Sequence, residues 1–146
     1  MKPLLSVIIC FFICCNAQAK IKDSEYNRYM KEMPIYPKAK AYDLKDFVKI
    51  KIKFYMTEDS FEDVTGFYIK QMEKKGWKIE FPNPLELKIW YEALNKDRTK
   101  TPNIMLGLIN PKSKVNCNIT IGVVKDARYP KDMTIITIYL TDTMLR

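Results

Sequence analysis

A chain of 146 residues is the size of one domain, and 25 Lys and Arg against 17 Asp and Glu give it a net charge of +8. It contains no histidine, which removes the commonest general base near neutral pH, the commonest metal ligand and every histidine-dependent triad. The basic balance favours acidic partners such as anionic lipid, acidic glycan or nucleic acid, or else serves solubility alone.

The first residues read as an address. Met1-Lys2 supplies one positive charge, Leu4 to Cys15 is an apolar run of 12 residues, and Ala17-Gln18-Ala19 places small residues where a signal peptidase needs them. A membrane-spanning helix needs roughly 20 apolar residues, so the run is too short to span. The order predicts a cleavable signal peptide over residues 1–19, cut between Ala19 and Lys20, and a periplasmic or secreted protein. A lipid anchor at Cys14 or Cys15 is the alternative, although neither follows the Leu-small-small pattern of a lipoprotein signal. Processing would leave 127 residues, 24 of them basic and 17 acidic, with Cys117 as the one remaining cysteine. No intramolecular disulfide is then available, and the fold must rest on its apolar core.

Residues 20–46 read as an N-terminal arm. Ser24 can cap a short helix from Glu25 to Met33, stopped by Pro34. Met33-Pro34-Ile35-Tyr36-Pro37 then reads as extended and proline-stiffened. Residues 47–146 form the domain proper, opening on a strand from Phe47 to Met56. Val48, Ile50, Ile52 and Phe54 are expected to point inward, and Lys49, Lys51 and Lys53 outward as a ladder. The ladder reads as an anion-contacting strip or as protection against edge pairing.

A helix follows. Asp59 or Ser60 can cap it, with Glu62 three residues after Asp59 as in a capping box. Phe61, Val64, Tyr68 and Met72 fall at helical spacing beside Phe67, and Gly76 can end the helix in the left-handed conformation. Trp77 to Phe81 reads as a second strand. From Pro84 to Asp97 the signals conflict: Asn83 as cap, Pro84 at the first position and Glu86 beyond mark a helix start, while Leu85, Leu87, Ile89 and Tyr91 alternate. The reading leans to helix. Three more strands follow, marked by Ile104, Leu106 and Leu108, by Cys117, Ile119, Ile121 and Val123, and by Ile136, Ile138 and Leu140. The alternation predicts a buried Cys117, and the short connections predict an antiparallel meander. The fold class is α+β: a single domain with a twisted, mainly antiparallel sheet and one long amphipathic helix packed on one face.

Tyr36-Pro37-Lys38-Ala39-Lys40, then Phe54, Thr57, Asp59-Ser60, Glu62-Asp63-Val64, Phe67-Tyr68 and Gly76-Trp77 follow one another in a recognisable order. The pattern resembles small exported bacterial domains of unknown function, of lipoprotein or periplasmic type, with Y-P-x-A-K, T-x-D-S, F-Y and G-W in sequence. The resemblance covers roughly residues 35–80, and Lys38 stands where those domains often carry glycine. It implies a fold and a compartment; it implies no catalytic residue, metal or cofactor.

The resulting expectation is a non-catalytic extracytoplasmic module that binds an envelope protein or an anionic envelope component through Tyr36, Pro37, Lys49, Lys51 and Lys53. A second reading has the basic surface hold an anionic polymer, with Tyr55 near Lys53 and Trp90-Tyr91 near Lys88 as stacking platforms. No nucleic-acid motif accompanies them, which disfavours nucleic acid. A secreted hydrolase using Asp59 with Glu62 or Asp63 ranks last, because carboxylates at that spacing suit a helix N-terminus.

Overall fold

The computed structural model describes residues 22–41, 52–96, 101–125 and 127–141. In chain order it contains helix α1 (Asp23–Glu32), strands β1 (Lys40–Ala41) and β2 (Ile52–Thr57), and helix α2 (Phe61–Lys74). Strand β3 (Lys78–Phe81), helix α3 (Pro84–Lys96) and strands β4 (Asn103–Ile109), β5 (Asn116–Val124) and β6 (Met133–Thr141) follow. The six strands form one sheet in the order β1-β2-β6-β5-β4-β3, antiparallel at every pairing. The α+β class and the C-terminal meander are as expected. Three described helices, rather than one, accompany the sheet.

Residues facing one another across antiparallel strands share a face. Tyr55, Ile136, Ile121 and Ile104 lie in one such row, and Leu140, Cys117 and Leu108 in another. All of these are buried and belong to one core. The same core takes Val64, Tyr68 and Met72 from α2, Tyr29, Met30 and Met33 from the arm, and Leu87, Trp90 and Tyr91 from α3. All three described helices therefore cover the same face. The arm's helix is packed into the core, its Tyr29 ring lying edge-on to Trp77 at 6.0 Å.

Local signals explain where the helices begin and stop. Ser60 caps α2, its hydroxyl accepting from the Asp63 amide at 3.1 Å. Gly76, at φ +80°, ends that helix, and Trp77 N–H closes back onto Met72 O at 3.0 Å. Asn83 Oδ1 accepts from the amides of Leu85 and Glu86, both at 3.0 Å, and Glu86 Oε2 accepts from the Asn83 amide at 2.8 Å. That reciprocal box settles residues 84–96 as helix against their alternating pattern. Helix α1 starts at Asp23 after Lys22, with no side-chain cap, so Ser24 is its second residue and not its cap.

The lysine ladder requires correction. Lys53 pairs with Ile138, a core residue, and so lies on the helix-covered side, at an exposed margin. Tyr55 and Thr57 point inward beside it, while Ile52 and Phe54 go to the opposite face, half-buried opposite Tyr139 and Thr137. Alternation gives the period of a strand but not its phase, and here both faces bury side chains. Lys49, Lys51, Val48 and Ile50 lie outside the described residues, as do Ala19 and Lys20.

The opposite face mixes apolar and polar side chains. Asn116, Asn118 and Thr120 of β5 lie there, 6%, 1% and 4% exposed, with Phe54, Met105 and Ile109 on neighbouring strands. Among the described residues neither amide atom of Asn118 finds a hydrogen-bond partner, nor does Asn116 Oδ1. A buried polar group without a partner costs about 1–3 kcal/mol. Asn118→Leu, close to isosteric, is therefore expected to raise the unfolding free energy by about that much. A lowered urea midpoint would show that the amide is satisfied in solution.

Candidate functional site

The surface feature that gathers sequence-marked residues lies where the arm crosses α2. Tyr36 leaves the extended segment after Pro34 and stacks edge-on against Phe67 of α2, ring centroids 5.1 Å apart. Asp59, in the turn between β2 and α2, fixes this arrangement. Its Oδ2 accepts the Tyr36 hydroxyl at 2.7 Å and meets Lys38 Nζ at 3.1 Å. The turn is itself anchored: the Asp59 amide donates to Thr57 Oγ1 at 3.2 Å, and Thr134 Oγ1 of β6 donates to Asp59 O at 2.7 Å. The sequence offered Asp59 or Ser60 as the helix cap; Ser60 caps, and Asp59 latches the arm.

The latch leaves its electrostatic mark on both partners. The Tyr36 hydroxyl, then Lys38, hold the Asp59 carboxyl below its ordinary value. The hydrogen bond to Asp59 pushes Tyr36 up to about 12. A depressed carboxyl stabilises the contact above its free value and loses that contribution as pH falls through the lower, folded one. A raised phenol stabilises it below its free value and loses that as pH rises through about 12. The arm is thus expected to stay latched between about pH 4 and about pH 10 and to loosen on either side. NMR shifts of the Tyr36 ring followed below and above that range measure it. Asp59→Asn should abolish the acid limb, and an unchanged acid limb in that variant would remove Asp59 from the account.

Between arm and helix lies a cavity of about 340 Å³ lined by Tyr36, Pro37, Lys38, Asp63, Gly66, Phe67 and Lys70. Aromatic and proline surface shares its lining with three charged side chains and with Gly66, and it lies open to solvent. Glycine inside a helix costs roughly 0.5–1 kcal/mol relative to alanine. A Cβ at Gly66 would meet no atom within 4 Å. Of the residues read as an interaction surface, Tyr36 and Pro37 line the groove and Lys53 does not. Phe67 was read as a helix residue, while Gly66 and Lys70 were not singled out; the spacing of Asp63, Gly66, Phe67 and Lys70 at i, i+3, i+4 and i+7 along α2 was the available signal.

A second cavity, about 420 Å³, lies on the other side of the Asp59 turn and includes Glu58, Glu62, Asn95, Lys125 and Asp132. Among the described residues no group of three or more His, Cys, Asp or Glu side chains is placed to hold a metal ion. Of the carboxylates read as a possible acid–base pair, Asp59 is engaged by the arm and Asp63 accepts the Ser60 hydroxyl at 2.8 Å. The stacking platforms are also occupied by the fold. Tyr55 is 7% exposed, and Trp90 packs on Phe61 at 5.1 Å and on Tyr91 at 5.2 Å. Cys117 is buried, as its alternation predicts, with Sγ 3.9 Å from Met33 Sδ, and burial pushes its thiol far up. Among the described residues no helix is long and apolar enough to cross a membrane.

Comparison with known proteins gives one match. A family model described as START domain-like aligns with residues 52–83, the β2-α2-β3 stretch through Asn83 that carries the Asp59 turn and the Gly66 wall of the cavity. No curated protein matches the chain. No solved structure matches it either.

Proposed function

We propose that this chain is a non-catalytic binding domain that works outside the cytoplasm, in the periplasm or secreted, and holds an envelope protein or other envelope component at the arm–helix groove. The observation that carries this reading is the Asp59 latch, which spends a buttressed carboxylate on holding an aromatic-proline segment over α2. A surface so fixed is pre-organised, and pre-organisation lowers what binding must spend on ordering. The START domain-like match over residues 52–83 points the same way, since domains of that kind are typically binding domains. The compartment follows from the signal-peptide pattern of residues 1–19.

Two measurements test it. Exported material should begin at Lys20; a start at Cys14 or Cys15 would make the protein lipid-anchored, and an intact leader on cytosolic protein would overturn the compartment. The mature chain, immobilised, should retain an envelope component from solubilised envelope extract and lose it on Tyr36→Ala. Equal recovery by both chains would remove the groove from the proposal, and turnover on a hydrolase panel would overturn the non-catalytic role.

The basic charge supports a second reading, an anionic polymer held through the lysine-rich surface. Counterion release then makes retention fall steeply with salt. A flat salt response separates the first reading from the second.

A further inference from the structure

Gly66 is the sixth of the fourteen residues of α2, and its surroundings give no structural reason for glycine. Its φ lies outside the left-handed range, and no atom approaches where a Cβ would stand. What lies over it is the groove, walled by the Tyr36 ring, Pro37 and Phe67. With no side chain, Gly66 leaves its stretch of the groove lining open.

Three charged side chains rim this notch, and two are already engaged. Lys38 is paired with Asp59 at 3.1 Å, and Asp63 accepts from Ser60. Lys70 makes no ion pair or hydrogen bond with any described residue and is exposed. Its ammonium is available to an anion, whereas Asp63, at the other end of the notch, repels one.

We infer that the notch takes an aromatic side chain of an extended peptide segment, with an acidic residue two positions away paired to Lys70. The inference rests on the binding role proposed above and specifies its ligand. A ring suits walls made of Tyr36, Phe67 and Pro37, because aromatic pairs gain from edge-on and offset contact. The spacing comes from two rises: Gly66 to Lys70 spans about 6 Å along the helix axis. Residues i and i+2 of an extended strand lie about 6.6 Å apart on the same side. The groove's openness favours a peptide over a small molecule. At about 340 Å³ it sits at the lower end of ligand pockets. It lies open at the surface, so a free aromatic acid would be poorly enclosed, while a peptide adds contacts along the arm.

A random peptide library displayed on phage and panned on the immobilised mature chain tests this. The expected consensus is an aromatic residue and an Asp or Glu separated by one position. A synthetic consensus peptide should lose about tenfold or more in affinity on Gly66→Leu, which fills the notch, and similarly on Lys70→Glu. Replacing the peptide's acid with alanine should abolish the Lys70→Glu effect. Gly66→Ala serves as the fold control, with an unchanged or higher melting temperature expected. Affinity unaffected by Gly66→Leu in a chain that still melts cooperatively overturns the inference. So does a consensus without the acid, or phenylacetate competing as well as the peptide. Capture of an envelope component by the Gly66→Leu chain would sink this ligand class and leave the binding role standing. Failure of the unaltered chain to capture anything would count against the role itself.

Discussion

Leu106→Ala is expected to lower the unfolding free energy by about 2–5 kcal/mol, the range for emptying a closed core site. Leu106 is 0% exposed and sits on β4 facing Ile119, which is also 0% exposed. Its row continues to Ile138 on β6, itself 1% exposed. Strands hold their backbones in register, so neighbours cannot slide in to fill the space, and the cost belongs toward the upper part of that range. Domains of this size have only about 5–15 kcal/mol in total. Urea unfolding followed by circular dichroism gives the value. Ile89→Ala is the control: at 57% exposure on the outer side of α3, it should shift stability by no more than about 0.5 kcal/mol. A Leu106→Ala loss as small as the control's would show that the core tolerates voids.

Trp77→Ala is expected to cost about 3–5 kcal/mol, the range for large aromatic truncations. Trp77 is 3% exposed at the junction between Gly76 and β3, edge-on to Tyr29 of α1. Its removal therefore empties the core and uncouples the arm's helix from it. That second effect distinguishes this site from Leu106. Amide exchange in α1 should rise more than in β5, and uniform exchange across both would show that the arm is held by Met30 and Met33 without Trp77.

Much of this architecture was legible because the sequence states it twice. Strand β5 alternates Cys117, Ile119, Ile121 and Val123, and its partner β6 alternates Ile136, Ile138 and Leu140; both patterns agree with the observed register. Helix α2 carries a cap, a periodic apolar stripe and a glycine stop. Helix α3 was harder to read, because Leu85, Leu87, Ile89 and Tyr91 fit either period; the Asn83–Glu86 box decided it through local hydrogen bonds. Strand β2 misled for a different reason. Its period was plain, but which side faced the helices depended on Tyr55 pairing with Ile136, a partner 81 positions away.

The site was legible in parts only. Tyr36 and Pro37 stood out through proline and aromatic composition. Asp59 was visible as a cap candidate, but a carboxylate there serves a helix N-terminus or an incoming hydroxyl equally well. The choice depends on Tyr36 arriving from 23 residues earlier. Gly66 was silent, since a lone glycine in a helix signals nothing until the space above it is known.

The burial of Cys117 against the Met33 sulfur has a practical consequence. Cys117 is the one cysteine between residues 20 and 146 and is buried, so the proposed processed chain would need neither an oxidase nor a disulfide isomerase to fold. A version starting at Lys20 and made in a reducing cytosol should show the same melting point with or without dithiothreitol, because no bond in its fold depends on the redox state of the compartment.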